Sequence, residues 1–154
     1  MIFYSKIDKI FLSIISVAIL MIVPLLLVPF LVDFYNRNTN IVDLIVVFSI
    51  LFITVGLIIW TTFFICYIFY DRYLFVKAGP FRSKIMYEDI TKVKKTNDIF
   101  TGYRLLSSKE AIEIFYKTGK FGSVKISPRE KQNFINELKK RCPHIEIEDS
   151  LTII

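Results

Sequence analysis

The chain has 154 residues, a formal net charge of +6, 54% hydrophobic residues and a mean hydropathy of +0.52. Its length excludes a large multidomain enzyme, and its apolar excess excludes an ordinary soluble domain, where about 45–50% of residues are apolar. Two cysteines, Cys66 and Cys142, with 75 residues between them, form no CxxC pair and point to reduced thiols without a metal site.

In chain order, the first feature is a charge-free run of 23 residues, Ile10 to Val32, followed by a second of 27 residues, Leu44 to Tyr70. About 20 apolar residues at ~1.5 Å rise cross the ~30 Å hydrocarbon layer, where only a self-satisfied backbone is tolerated. The first run is too long for a signal-peptide core and is followed by no small-x-small cleavage pattern. Two spans are therefore expected, at about 8–32 and 42–61, joined by a loop at 33–41. Pro24 and Pro29 each remove a backbone donor from the first span and are expected to bend it. Within the spans no charged residue lies between Ile10 and Val32 or between Leu44 and Thr61, which argues against an ion or proton pathway.

The second run changes character along its length. "VDLIVVFSILFITVGLII" is aliphatic, whereas "WTTFFICYIFYDRYLFV" is aromatic, β-branched and partly alternating. Trp60 suits the headgroup belt and is read as the interface anchor. A strand is expected from about Thr62, with a tight turn at Asp71-Arg72; a single tilted helix continuing to Tyr70 is the alternative. Lys6 and Lys9 precede the first span, and Arg72, Lys77, Arg82 and Lys84 follow the second. Only Arg37 lies between the spans, against Asp33 and Asp43. The positive-inside rule then places both termini in the cytoplasm, in a two-pass protein of the cell membrane.

Residues 62–154 are expected to form a cytoplasmic β unit. "YLFVKA" and "SKIMY" flank Gly79-Pro80, a strong turn pair. "EDITKVKK" reads as a short turn leading into a strand, "EAIEIFY" alternates, and "KTGKFG" turns the chain into "SVKI". "SPRE" then reads as a capping box: Ser127 as the cap, Pro128 in the first turn and Glu130 closing it. Phe134, Ile135 and Leu138 form an apolar stripe, Lys139, Lys140 and Arg141 suit the last turn, and Pro143 marks the stop. A helix at about 128–141 follows.

Chemistry-bearing motifs are scarce. His144, the only histidine, has no orienting partner or nucleophile nearby, and Glu88-Asp89 and Glu146-Glu148-Asp149 lack the ligand number of a cation site. No phosphate loop, dinucleotide fingerprint, HExxH or GxSxG occurs, so neither an enzyme nor a cofactor is expected. From Asp71 onward there are 17 Lys and Arg against 11 Asp and Glu. Near an anionic leaflet each such cation is worth ~1 kcal/mol. Arg82, Lys84, Lys92, Lys94 and Lys95 are the candidate contacts, with membrane lipid rather than nucleic acid as the expected partner. A solvated cationic face is the plain alternative.

The stretches "GPF…I.YEDI" and "ISP.EK..FI..L..R.P" resemble small bacterial PH-domain membrane proteins of the YyaB-like type, over roughly residues 60–145. That resemblance implies a membrane α + β protein. A two-helix transmembrane hairpin would be followed by a PH-like antiparallel β-barrel or sandwich of roughly seven strands, capped by the C-terminal helix. "TNDIFTGYRLLSS" is hard to place in such a barrel. The resemblance also implies a non-enzymatic interaction module for a protein partner, a second copy or anionic lipid, in one version self-immunity against a bacteriocin-type peptide. An accessory subunit of a larger membrane complex is the other reading.

Overall fold

A computed structural model describes residues 1–36, 40–98, 100–118, 122–148 and 151. Two long helices, α1 (Lys9–Tyr35) and α2 (Ile41–Phe63), form a hairpin long and apolar enough to cross a membrane. Phe30 and Phe48 meet edge to face between them at 6.5 Å. Asp43 accepts the Asn40 N–H at 2.9 Å, securing the start of α2. The tip of the expected connecting loop, residues 37–39, lies outside the described residues.

The second helix runs past the expected boundary. Thr62, read above as the start of a strand, and Thr61 before it donate their hydroxyls back to Ile58 and Leu57 carbonyls at 2.6 and 2.8 Å. This i−4 bonding spares a buried hydroxyl an unsatisfied state and holds the last turn helical. β2 (Ile65–Phe69) begins directly after the turn at Phe64.

A short strand precedes the hairpin, where none was expected. β1 (Ile2–Tyr4) pairs antiparallel with β2, so the first four residues belong to the β unit and not to the hairpin. The first sheet has the order β1-β2-β3-β4, with β3 at Tyr73–Ala78 and β4 at Phe81–Met86. A 3-10 turn at Tyr87–Asp89 leads to β5 (Ile90–Thr96). The second sheet adds β6 (Arg104–Leu105), β7 (Ala111–Tyr116), β8 (Ser123–Ile126) and β9 (Glu146–Ile147), in the order β6-β8-β7-β5-β9. Two sheets with open edges bear out the sandwich of the expectation, and the barrel is not closed. The turn expected at "KTGKFG" falls partly on residues 119–121, outside the described ones.

Alternation decides the core. Tyr67, Phe69, Leu74, Val76 and Ile85 point inward from the first sheet, and Val93, Ile112, Ile114, Val124 and Ile126 from the second. The helix α3 (Lys131–Arg141) lays Phe134, Ile135 and Leu138 between them. Phe134 meets Phe69 at 4.9 Å, Phe3 at 5.4 Å and Tyr67 at 6.0 Å. The aromatic cluster thus joins β1, β2 and α3.

The helix starts later than its capping box predicts. Ser127 is fully buried, and its hydroxyl accepts the Ser107 N–H at 3.1 Å and pairs with the Ser5 hydroxyl at 2.9 Å. Its carbonyl takes the Lys6 N–H at 2.7 Å. With every group of Ser127 engaged by distant residues, none is left to cap, and Glu130 occupies the cap position without a side-chain cap bond.

Candidate functional site

The five cations singled out in the sequence fall on two different surfaces. Arg82 and Lys84 project from the outer face of the first sheet and are exposed. Register places Lys77 opposite Arg82 and Phe75 opposite Lys84. Lys77 was not among the candidates, although the Gly79-Pro80 turn sets positions 77 and 82 symmetrically about it. Gly79 fits that turn because it has φ +55, and a Cβ there would press on the Thr61 backbone at 3.2 Å. The turn therefore rests on the end of α2 and fixes Lys77 and Arg82 near the hairpin.

Among the described residues no carboxylate forms an ion pair with Lys77, Arg82 or Lys84. Lys84 lies over the Tyr73 ring at 4.3 Å. Around these cations the outer face is aromatic and apolar: Ile2, Tyr4, Tyr70 and Met86 are exposed, and Phe75 is half-buried.

Lys92, Lys94 and Lys95 lie on β5 of the second sheet in different company. Lys92 pairs with Glu146 at 3.0 Å, and Lys94 approaches Glu113 at 3.7 Å and the Phe115 ring at 4.7 Å. The Lys95 backbone N–H donates to Glu148 at 2.9 Å. Glu113 is also the register neighbour of buried Lys125, which binds Asp98 at 2.8 Å. Lys94, Glu113, Lys125 and Asp98 thus form a row of alternating sign. Lys125 also donates to the Thr101 carbonyl, holding residues 100–103 over this face. Lys125, the Thr101 hydroxyl and the Phe100 N–H together hold the Asp98 carboxyl well below its ordinary range.

Trp60 stands near the end of α2, about half-exposed. Beside it, where the hairpin meets the sandwich, is a cleft of about 280 Å³. Phe11 and Ile15 of α1, Thr61, Phe81, Leu106 and Arg104 contribute to its walls. Sequence reading gave no hint of it, because its lining comes from four separated stretches.

A buried polar network ties this junction together. Tyr67 donates to the Leu105 carbonyl at 2.8 Å and accepts the Ser127 N–H at 3.0 Å, while Ser107 donates to the Thr62 carbonyl at 2.7 Å. Burial pushes the Tyr67 hydroxyl up to about 12, so it stays protonated and able to donate. Asp8, just before α1, accepts from the Ser108 hydroxyl at 2.7 Å and the Lys109 N–H at 2.8 Å. Burial works against its ionisation, but these bonds outweigh it and lower the Asp8 pKa. His144 lies at the surface with Nε2 3.2 Å from the Ile90 carbonyl. Among the described residues no group of three or more His, Cys, Asp or Glu could hold a metal ion.

Mostly antiparallel strands in two packed sheets, closed by a C-terminal helix and preceded by two long apolar helices, define a PH-like domain. The chain belongs to the bacterial PH domain family, whose profile matches residues 65–142. It is similar to the uncharacterized protein YyaB of Bacillus subtilis (strain 168), with 36% identity over 102 residues, covering 66% of this chain and 69% of that protein. No solved structure gives a significant match.

Proposed function

We propose that the protein is a membrane-anchored, non-enzymatic interaction module whose Lys77–Arg82–Lys84 face meets anionic lipid headgroups at the cytoplasmic leaflet. One observation carries this reading: Lys77 and Arg82 are held directly across from each other with no carboxylate between them. Like charges in that position destabilise a strand pair. Edge protection accounts for cations on β4, which is an edge strand, but not for Lys77 on the inner strand β3. An anionic surface would offset the repulsion, and both residues sit at the hairpin end of the sheet, within a Debye length of the headgroups. The excess of Lys and Arg on the two chain segments flanking the hairpin supports the cytoplasmic side.

The test uses the full chain in bilayers containing spin-labelled phosphatidylglycerol or phosphatidylcholine. Wild type should select phosphatidylglycerol, less so as salt rises. Arg82→Glu with Lys84→Glu should abolish the selectivity, while Lys92→Glu with Lys94→Glu should leave it nearly intact. Equal selectivity in wild type and the first double variant would overturn the reading.

The apolar outer surface of the same sheet favours a second reading, in which Tyr70, Tyr73, Phe75 and Met86 receive a protein partner and the chain serves as an accessory subunit. Recovery of a stoichiometric partner after mild detergent extraction would support it, and a clean monomer would count against it. Self-immunity against a membrane-acting peptide is a concrete role for either version. Its readout is the tolerance of a sensitive strain expressing the chain, and unchanged tolerance across a peptide panel would remove it.

A further inference from the structure

The first sheet has two edges, and among the described residues only one is covered. Along β1, the Lys6 N–H donates to the Ser127 carbonyl at 2.7 Å and the Arg129 N–H to the Tyr4 carbonyl at 2.9 Å. Along β4, the sheet order gives β3 as the neighbour on one side and no strand on the other. The ladder shows which backbone groups of β4 face that open side. Just beyond the Tyr73–Met86 pair, the Tyr87 N–H donates to the Arg72 carbonyl at 3.2 Å. Bonded and non-bonded pairs alternate along an antiparallel ladder, so Leu74–Ile85, Val76–Ser83 and Ala78–Phe81 are the bonded ones. The N–H and C=O groups of Arg82, Lys84 and Met86 therefore point away from β3. The side chains of the same three residues are exposed.

A strand laid on this edge would bond those groups, and charge decides which strand fits. Residues placed opposite Arg82 and Lys84 carry their side chains on the same face, within cross-strand reach. The β4 of a second copy would set these cations against their own kind and destabilise the pair. Edge cations hold off neutral apolar strands as well. A strand with carboxylates at alternate positions instead meets two cations that pair with no carboxylate among the described residues. Lys77 stands one strand behind Arg82 and adds to the attraction.

We infer that the free edge of β4 takes an extended acidic segment of a protein partner as a fifth strand of the four-stranded sheet. Its carboxylates occupy every second position and face Arg82 and Lys84. This rests on the accessory-subunit reading above and gives its partner a chemical class. The headgroup reading uses the same side chains but none of the edge backbone.

The experiment titrates the full chain, in micelles of an uncharged detergent, with a peptide of Glu alternating with Thr, slightly longer than the six residues of β4. Amide hydrogen exchange is the readout. In the free chain the Arg82 and Lys84 amides should exchange fast, and those of Ser83 and Ile85, bonded to β3, slowly. Saturating peptide should slow the Arg82 and Lys84 amides at least about tenfold. A peptide with Gln in place of Glu should bind about tenfold more weakly, as should Arg82→Gln with Lys84→Gln. Unchanged protection of Ser83 and Ile85 checks that the variant strand stays paired. Opposite Arg82 and Lys84 the Glu residues turn their own N–H groups to β4, so N-methylation of Glu should abolish binding. N-methylation of Thr, on the far edge of the added strand, should leave it intact. Phosphatidylglycerol alone should leave the edge amides fast. No protection at millimolar peptide, equal tolerance of both methylations, or equal protection by phosphatidylglycerol overturns the inference. A stoichiometric partner that binds while the edge amides stay fast would keep the accessory-subunit reading and overturn this one alone.

Discussion

The two sheets carry their outward cations under opposite conditions. On the second sheet Lys94, Glu113, Lys125 and Asp98 alternate in sign, and residues 100–103 lie over them. On the first, Lys77 faces Arg82 and, among the described residues, neither pairs with a carboxylate. Residues that look equivalent in composition are thus engaged internally in one place and left facing outward in the other. Counting basic residues overstates the surface available to an anionic partner. Register and neighbouring carboxylates decide how much of it is usable.

The largest test of this contrast asks whether the sheets are one folding unit. Phe3 is 4% exposed and packs on Phe69 at 5.6 Å as well as on Phe134. Phe3→Ala should cost about 3–5 kcal/mol in denaturant unfolding in detergent, with both sheets lost in a single transition. Two separate transitions would break the shared-core picture. Next comes removal of one cation from each sheet. Lys125→Met strips buried, charge-assisted bonds and should destabilise by about 1–3 kcal/mol. Lys77→Met removes a repulsion and should be neutral or stabilising by about 0.2–1 kcal/mol. Loss of stability in both variants would show that the sheets do not differ in this way.

The smallest effect is local and pH-dependent. The folded Asp98 pKa lies below its ordinary 3.8, so its contribution is fully present above that value and fades as pH falls beneath it. Amide shifts of Phe100 and Thr101 should therefore move below about pH 4, while those of β3 and β4 stay fixed. Lys125→Met should move that response to higher pH, and an identical titration in the variant would detach Asp98 from Lys125.

Much of the architecture is legible in the chain because it depends on nearest-neighbour patterns. Charge-free runs give the hairpin helices, Gly79-Pro80 gives the β3–β4 turn, and alternation gives β3 and β7. What is not legible depends on distant partners. β1 has three residues, too few to show alternation ahead of a long apolar run. Ser127 matches a capping pattern, yet Ser107, Ser5 and Tyr67 claim its groups from 20, 122 and 60 residues away. Thr61 and Thr62 have strand-like chemistry but end a helix, since their hydroxyls can bond back one turn. Of the candidate contacts, the local exposure of Arg82 and Lys84 followed from their hairpin position. The pairing of Lys92 with Glu146 required a crossing of more than fifty residues.

β1 has a consequence for biogenesis. Phe3 precedes both helices in the chain but docks beside Tyr67, which follows them. A chain whose helices threaded the bilayer only once would strand that phenylalanine on the wrong side, leaving a hole among Phe69, Tyr67 and Phe134. The sandwich would then be loose and open to quality-control proteases. Completion of the β unit therefore requires the start of α1 and the end of α2 to lie together.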